Sequence, residues 1–108
     1  MTLRQKQSLF AQMVAKLILW AFENEFEVTL GEAWRNDEQQ EKYLKNGKSQ
    51  AKRSKHQDRL AIDLNLFIKG VYQTSSEAYR PLGEKWKEMG GIWGGDFKGF
   101  RDGNHFEL

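Results

Sequence analysis

Groups able to hold a metal or move a proton are few in this chain. Its 108 residues include two histidines and no cysteine. Thiolate metal sites and disulfides are thereby excluded, and a transition metal could be held only by imidazole and carboxylate groups. The imidazoles are His56 and His105. Among the carboxylates, Asp63 stands out because it interrupts the apolar strand formers between Leu60 and Ile68. A charge in the middle of a sheet is costly unless it is paired or bound to a metal. If the segments carrying His56, Asp63 and His105 are neighbours, two imidazoles and one carboxylate converge on a point. Three such donors leave the fourth tetrahedral position of Zn²⁺ open to water, the arrangement of a catalytic zinc site. Zinc lowers the pKa of that water to roughly 7. Asp102 precedes His105 by three residues across a glycine-containing turn, so its carboxylate reaches the same pocket without being a ligand. As general base and then acid, such a group contributes about 10²–10⁴ in rate. Taken singly, these residues have plainer readings: structural or exposed histidines, and an ordinary turn at Asp102-Gly103.

The elements that must position these groups are legible as periodicities. Phe10, Met13, Val14, Leu17, Ile18 and Ala21 recur at helical spacing. They predict a core helix from near Leu3 to about Glu23, with Thr2 and Gln5 at capping-box spacing. Phe26 to Arg35 predicts a strand, with Phe26, Val28 and Leu30 alternating against Glu25, Glu27 and Thr29. Asn36 or Asp37 caps a short second helix ending near Asn46, where Gly47 can take a left-handed conformation. Lys48 to Gln57 reads as a polar loop.

Arg59 to Ile68 predicts a strand whose Leu60, Ile62, Leu64 and Leu66 face the core, with Ala61, Asp63 and Asn65 opposite. Gly70 turns the chain into a short strand at Val71 and Tyr72, and a third helix covers roughly Pro81 to Met89 before Gly90 and Gly91. In the last extended piece His105 and Glu107 share one face, with Phe106 and Leu108 on the other. The fold class expected is α+β, a small antiparallel sheet packed with about three helices, as a single domain over residues 1–108.

Charge and hydropathy exclude other classes. Seventeen basic and fifteen acidic residues leave a net charge of +2, too small for a dedicated nucleic-acid binder. The concentrated basic patch of Lys45, Lys48, Lys52, Arg53, Lys55 and Arg59 reads as a solvated loop, with a small nucleic-acid binder as the competing reading. No stretch approaches the ~20 apolar residues of a membrane-spanning helix, so no membrane insertion is expected. Arg4 and Lys6 precede Phe10 to Phe22, but Gln12 and Lys16 interrupt that run and Glu23, Asn24 and Glu25 follow it. It therefore reads as a helix of the mature fold and not as a secretory signal.

Ser54-Lys55-His56 followed by Asp63 gives S-x-H-x(6)-D, and the chain closes on Asp102-Gly103-Asn104-His105-Phe106-Glu107-Leu108, or D-x-x-H-F-E-L. With Trp93-Gly94-Gly95-Asp96-Phe97, these motifs resemble the zinc peptidases of the D-alanyl-D-alanine carboxypeptidase superfamily over about Arg35 to Leu108. The branch most similar is that of phage endolysins and bacterial L-alanyl-D-glutamate endopeptidases. The resemblance implies a hedgehog/DD-peptidase-like fold and one Zn²⁺ per chain held by His56, Asp63 and His105, with Asp102 as catalytic acid/base. Relatives acting as carboxypeptidases or dipeptidases commonly carry Glu at the position of Asp102, so an aspartate there favours the endolysin branch. Arg35 matches the family's arginine ahead of the second helix and is expected to hold a substrate carboxylate or the developing oxyanion. Ser54 is expected to touch substrate or orient the His56 loop, and Glu107 to fix an imidazole. Trp93 either walls the groove as a substrate contact or belongs to the core. One departure is Arg59, where the family often has glycine; a looser turn between His56 and Asp63 is expected.

The implied function is zinc-dependent hydrolysis of the stem peptide of bacterial peptidoglycan, at the L-Ala–D-Glu bond, by a monomeric phage or prophage endolysin. Such an enzyme would be made in the cytoplasm without a signal peptide and reach the cell wall through a holin-type pore. The alternatives are a D-Ala-D-Ala carboxypeptidase or dipeptidase, and a catalytically silent zinc-containing wall or tail component.

Overall fold

A computed structural model describes residues 1–48 and 53–108. Lys52 of the basic patch and part of the expected 48–57 loop lie outside the described residues. The first helix, α1, runs Leu3–Glu23. Thr2 Oγ1 accepts the Gln5 backbone N–H, and Gln5 Oε1 accepts that of Thr2, so the capping box forms as its spacing predicts. Phe10, Met13, Leu17 and Ala21 form the buried stripe of α1. The second helix, α2, spans Asp37–Lys45 with Asn36 as its cap. The third, α3, spans Arg80–Glu88 behind a 3₁₀ turn at Ser76–Tyr79.

The sheet is antiparallel. Its strands are β1 (Glu27–Leu30), β2 (Ala61–Ile68), β3 (Val71–Tyr72), β4 (Ile92–Trp93) and β5 (His105–Glu107). They lie in the order β1-β2-β5-β4, with β3 folded back on the far end of β2. The central strand β2 shows the alternation expected of it: Ile62, Leu64 and Leu66 are buried, while Asp63 and Asn65 face the other way and are half-buried. Beneath the buried face, α1 and α3 meet the sheet through edge-to-face contacts of Phe10 with Trp86 (5.7 Å) and Trp86 with Phe106 (6.0 Å).

The first strand is shorter than its sequence pattern. Regular pairing stops at Leu30, which is exposed, and of the expected apolar face only Val28 is buried. Two further backbone bonds, Gly31 N–H to the Asp63 carbonyl and Asp63 N–H to the Glu32 carbonyl (both 2.8 Å), carry the ladder two residues on. The chain then leaves the sheet and delivers Arg35 to the site described below.

Arg59 ends a 3₁₀ turn over Lys55–Asp58 in the left-handed conformation, φ 58° and ψ 36°. This explains the glycine common at that position in the resembling family, since Cβ penalises that region by roughly 1–2 kcal/mol. Backbone bonds close the turn. Arg59 N–H bonds the His56 carbonyl and Leu60 N–H that of Lys55 (2.9 Å), while the guanidinium covers the Trp34 ring at 5.1 Å. Comparing two variants that both lose this cation isolates the backbone effect. Arg59→Gly is expected to be about 1 kcal/mol more stable than Arg59→Ala in thermal or denaturant unfolding, the reverse of their usual order. Equal stabilities would contradict the left-handed assignment.

Candidate metal centre

Asp63 and His105 are directly opposed partners in the β2–β5 register, so their side chains leave the sheet on the same face. His56 joins them from the preceding 3₁₀ turn, whose cap is Ser54: its Oγ accepts the His56 backbone N–H at 3.2 Å. The three donors come together closely. His56 Nε2 lies 3.1 Å from Asp63 Oδ1 and 3.2 Å from His105 Nδ1, and His105 Nδ1 lies 3.4 Å from Asp63 Oδ1. Both histidines are buried, at 1% and 6% exposure. Glu107, two residues along β5, takes the other ring nitrogen of His105 at 2.8 Å. That bond places a proton on Nε2, so that in the neutral ring the lone pair of Nδ1 faces His56 and Asp63.

Two nitrogens and one oxygen at mutual distances of 3.1–3.4 Å repel one another unless something positive sits among them. The protonation balance reflects that demand. Burial pulls His105 down, but its bonds to Asp63 and Glu107 outweigh this and carry its pKa up to about 9. Burial favours the neutral form of Asp63, yet bonds to His105 and His56 hold its carboxyl below the ordinary range. Such spacing and such a donor set fit a tetrahedral zinc ion, with His56 Nε2, Asp63 Oδ1 and His105 Nδ1 as the three atoms available to it.

Around this cluster opens a cavity of about 560 Å³. Asp102 lines it, with Oδ2 3.9 Å from His105 Nδ1. Burial, reinforced by the negative charge of Asp63, raises the pKa of Asp102, so it holds a proton more readily than a surface aspartate. Its position depends on Gly94, whose carbonyl accepts the Asp102 N–H at 3.0 Å; a Cβ on Gly94 would lie 2.2 Å from the Asp102 carbonyl oxygen. Cationic groups line the cavity too: Arg35, Lys48, Arg53, Lys55 and Lys98.

Arg35 is held from three sides. Its Nε bonds Glu32, its Nη1 bonds Gln40, and the Tyr43 ring lies 4.5 Å from the guanidinium carbon. Nη2 has no protein partner among the described residues and is the donor left for a ligand. Trp93 needs correction as a groove residue. It is fully buried, donates its indole N–H to the Gly103 carbonyl at 2.7 Å, and is packed so tightly that a Cβ on Gly83 or Gly95 would lie 2.2 or 2.1 Å from its ring. It supports the segment carrying Asp102 and His105 from below. The aromatic walls of the cavity are Phe97 and Phe100.

Three residues around Arg35 were not singled out from sequence: Glu32, Gln40 and Tyr43. Tyr43 donates to Glu32 Oε2 at 3.2 Å, and Gln40 is buried at 1% exposure on a helix of otherwise polar composition. A glutamine at i+5 from the arginine, on the inner face of α2, was the available signal.

The family described as D-alanyl-D-alanine carboxypeptidase matches residues 47–108, which include His56, Asp63, Asp102 and His105. The chain is 37% identical over 98 residues to the L-alanyl-D-glutamate peptidase of Listeria phage A118, a match covering 86% of this chain and 34% of that protein. It thus spans about a third of the length of that curated relative. The crystal structure of the Serratia marcescens L-Ala D-Glu endopeptidase ChiX superposes with a TM-score of 0.71 at 28% identity, over 91% of this chain and 78% of that one. A vancomycin-resistance D,D-pentapeptidase, VanY, solved with Zn(II), shares the fold at a TM-score of 0.61 and 22% identity, over 92% of this chain and 70% of that one. With its motifs inside the matched region and its α+β fold shared with these structures, the chain belongs to the D-alanyl-D-alanine carboxypeptidase family of peptidases.

Proposed function

We propose that the protein is a zinc peptidase that hydrolyses the stem peptide of bacterial peptidoglycan at the L-Ala–D-Glu bond. The observation that carries this reading is the meeting of His56 Nε2, Asp63 Oδ1 and His105 Nδ1 at an open cavity lined by both histidines and by Asp102, which stands beside the triad. A bound zinc ion supplies Lewis acidity there, polarising a carbonyl and making water a nucleophile near neutral pH. Asp102 accepts the proton of the attacking water and returns it to the leaving amine, a role to which its raised pKa suits it. Arg35, fixed by Glu32, Gln40 and Tyr43, presents Nη2 to a substrate carboxylate or to the developing oxyanion. Ser54 sets the turn that aims His56.

The choice of bond is supported by the relatives named for L-Ala–D-Glu cleavage and by the cations of the groove, which suit a stem peptide bearing free carboxylates. The phage origin of one relative favours a phage lysis role, and release through a holin-type pore is part of the same proposal. Mass spectrometry of purified peptidoglycan fragments, incubated with the protein with and without a chelator, tests the reading. New fragments beginning at D-Glu are expected, and none once zinc is removed. Free D-Ala would instead assign a carboxypeptidase activity, as the family's description has it. Intact fragments with zinc bound would leave a silent wall or tail component.

A further inference from the structure

His56 Nδ1 is the one buried side-chain polar atom among the described residues without a hydrogen-bond partner. If Nε2 offers its lone pair to a metal, the proton of the neutral ring must sit on Nδ1. A buried N–H without an acceptor is rare in folded proteins and calls for one nearby. The nearest carboxylate oxygen is Glu32 Oε1, 4.0 Å away. That is about one ångström beyond a hydrogen bond. Glu32 is well placed to close the gap. Its backbone carbonyl accepts the N–H of Asp63 (2.8 Å), while its carboxylate is aimed by Arg35 Nε and the Tyr43 hydroxyl. From the other side, Arg35 N–H bonds the His56 carbonyl at 3.2 Å, tying the His56 turn to the same short segment.

We infer that Glu32 is a positioning residue of the metal centre: it accepts the Nδ1 proton of His56 in the zinc-loaded protein, as Glu107 accepts the Nε2 proton of His105. One segment, Gly31 to Arg35, then aligns Asp63 through its backbone, His56 through the Glu32 side chain, and the substrate-facing guanidinium of Arg35. This inference rests on the zinc reading. Carboxylate partners of ligating histidines fix the tautomer, and their loss typically weakens metal binding about 10–100-fold.

The test is zinc affinity, measured by competition with a chromophoric chelator, on the intact chain and on Glu32→Ala and Glu32→Gln, with folding followed by circular dichroism. Glu32→Ala should bind zinc about 10–100-fold more weakly, and Glu32→Gln, which keeps an oxygen acceptor, should recover most of that loss. In proton NMR of the zinc form, the His56 Nδ1–H should be downfield and slow to exchange, moving upfield in Glu32→Gln. If Glu32→Ala does not fold, that resonance decides the matter. An unchanged resonance in Glu32→Gln, or undiminished affinity in a folded Glu32→Ala, overturns the inference and leaves the zinc reading standing. An unsubstituted protein that takes up no zinc fails the zinc reading itself.

Discussion

Asp102→Asn is expected to retain one zinc ion per chain while turnover of peptidoglycan fragments falls by roughly 10²–10⁴-fold. The substitution keeps the shape of the side chain and its place on the Gly94 carbonyl, since that bond is made by the Asp102 backbone. What it removes is the ability to take a proton. The three donors do not depend on it: the facing atoms of His56, Asp63 and His105 lie 3.1–3.4 Å from one another, whereas Asp102 Oδ2 stands back at 3.9 Å from His105 Nδ1. A group used only in the proton-transfer step lowers kcat and leaves substrate binding nearly intact. Zinc content by atomic absorption and steady-state kinetics separate the possibilities. A variant that loses its zinc would make Asp102 a ligand, and one that keeps full turnover would assign the proton transfer elsewhere.

His56→Ala is expected to take up almost no zinc, and with it to lose the thermal stabilisation that zinc confers. Metal binding only to the folded state adds stability by mass action, about 4 kcal/mol when free zinc exceeds its Kd a thousandfold. For a chain of this size that raises the melting temperature by roughly 15–20 °C. The variant also opens a cavity, because His56 is 1% exposed, so its melting temperature alone is ambiguous. The decisive measurement is the difference between melting temperatures with zinc and with a chelator, large for the unsubstituted protein and near zero for the variant. A variant that still melts higher with zinc would remove His56 from the ligand set.

Much of the site was legible because two strict periodicities carry it. Alternation along Ala61–Ile68 put Asp63 on the face opposite Leu64 and Leu66, and alternation along His105–Glu107 put an imidazole and a carboxylate side by side. What alternation does not give is where a strand stops. Leu30 continues the apolar pattern of β1 and pairs with Leu64, yet it is exposed, and two residues further on the chain leaves the sheet to bring Glu32 and Arg35 round to His56. Glu32 was hidden for a related reason: it follows Glu25 and Glu27, and one more acid after an alternating strand looks solvated. Trp93 was ambiguous beside Gly94 and Gly95. The deciding neighbour is Gly83 on α3, distant in sequence, whose bare Cα leaves room for the indole.

The two histidines are 49 residues apart in the chain, and they meet only because residues 105–107 dock against β2. Before that docking, His56 and Asp63 offer two donors on one local segment, too few to retain a cation tightly against cellular chelators. Retention of the cation is therefore tied to the docking of β5 on β2: whatever loosens that pairing would let go of the metal at the same time.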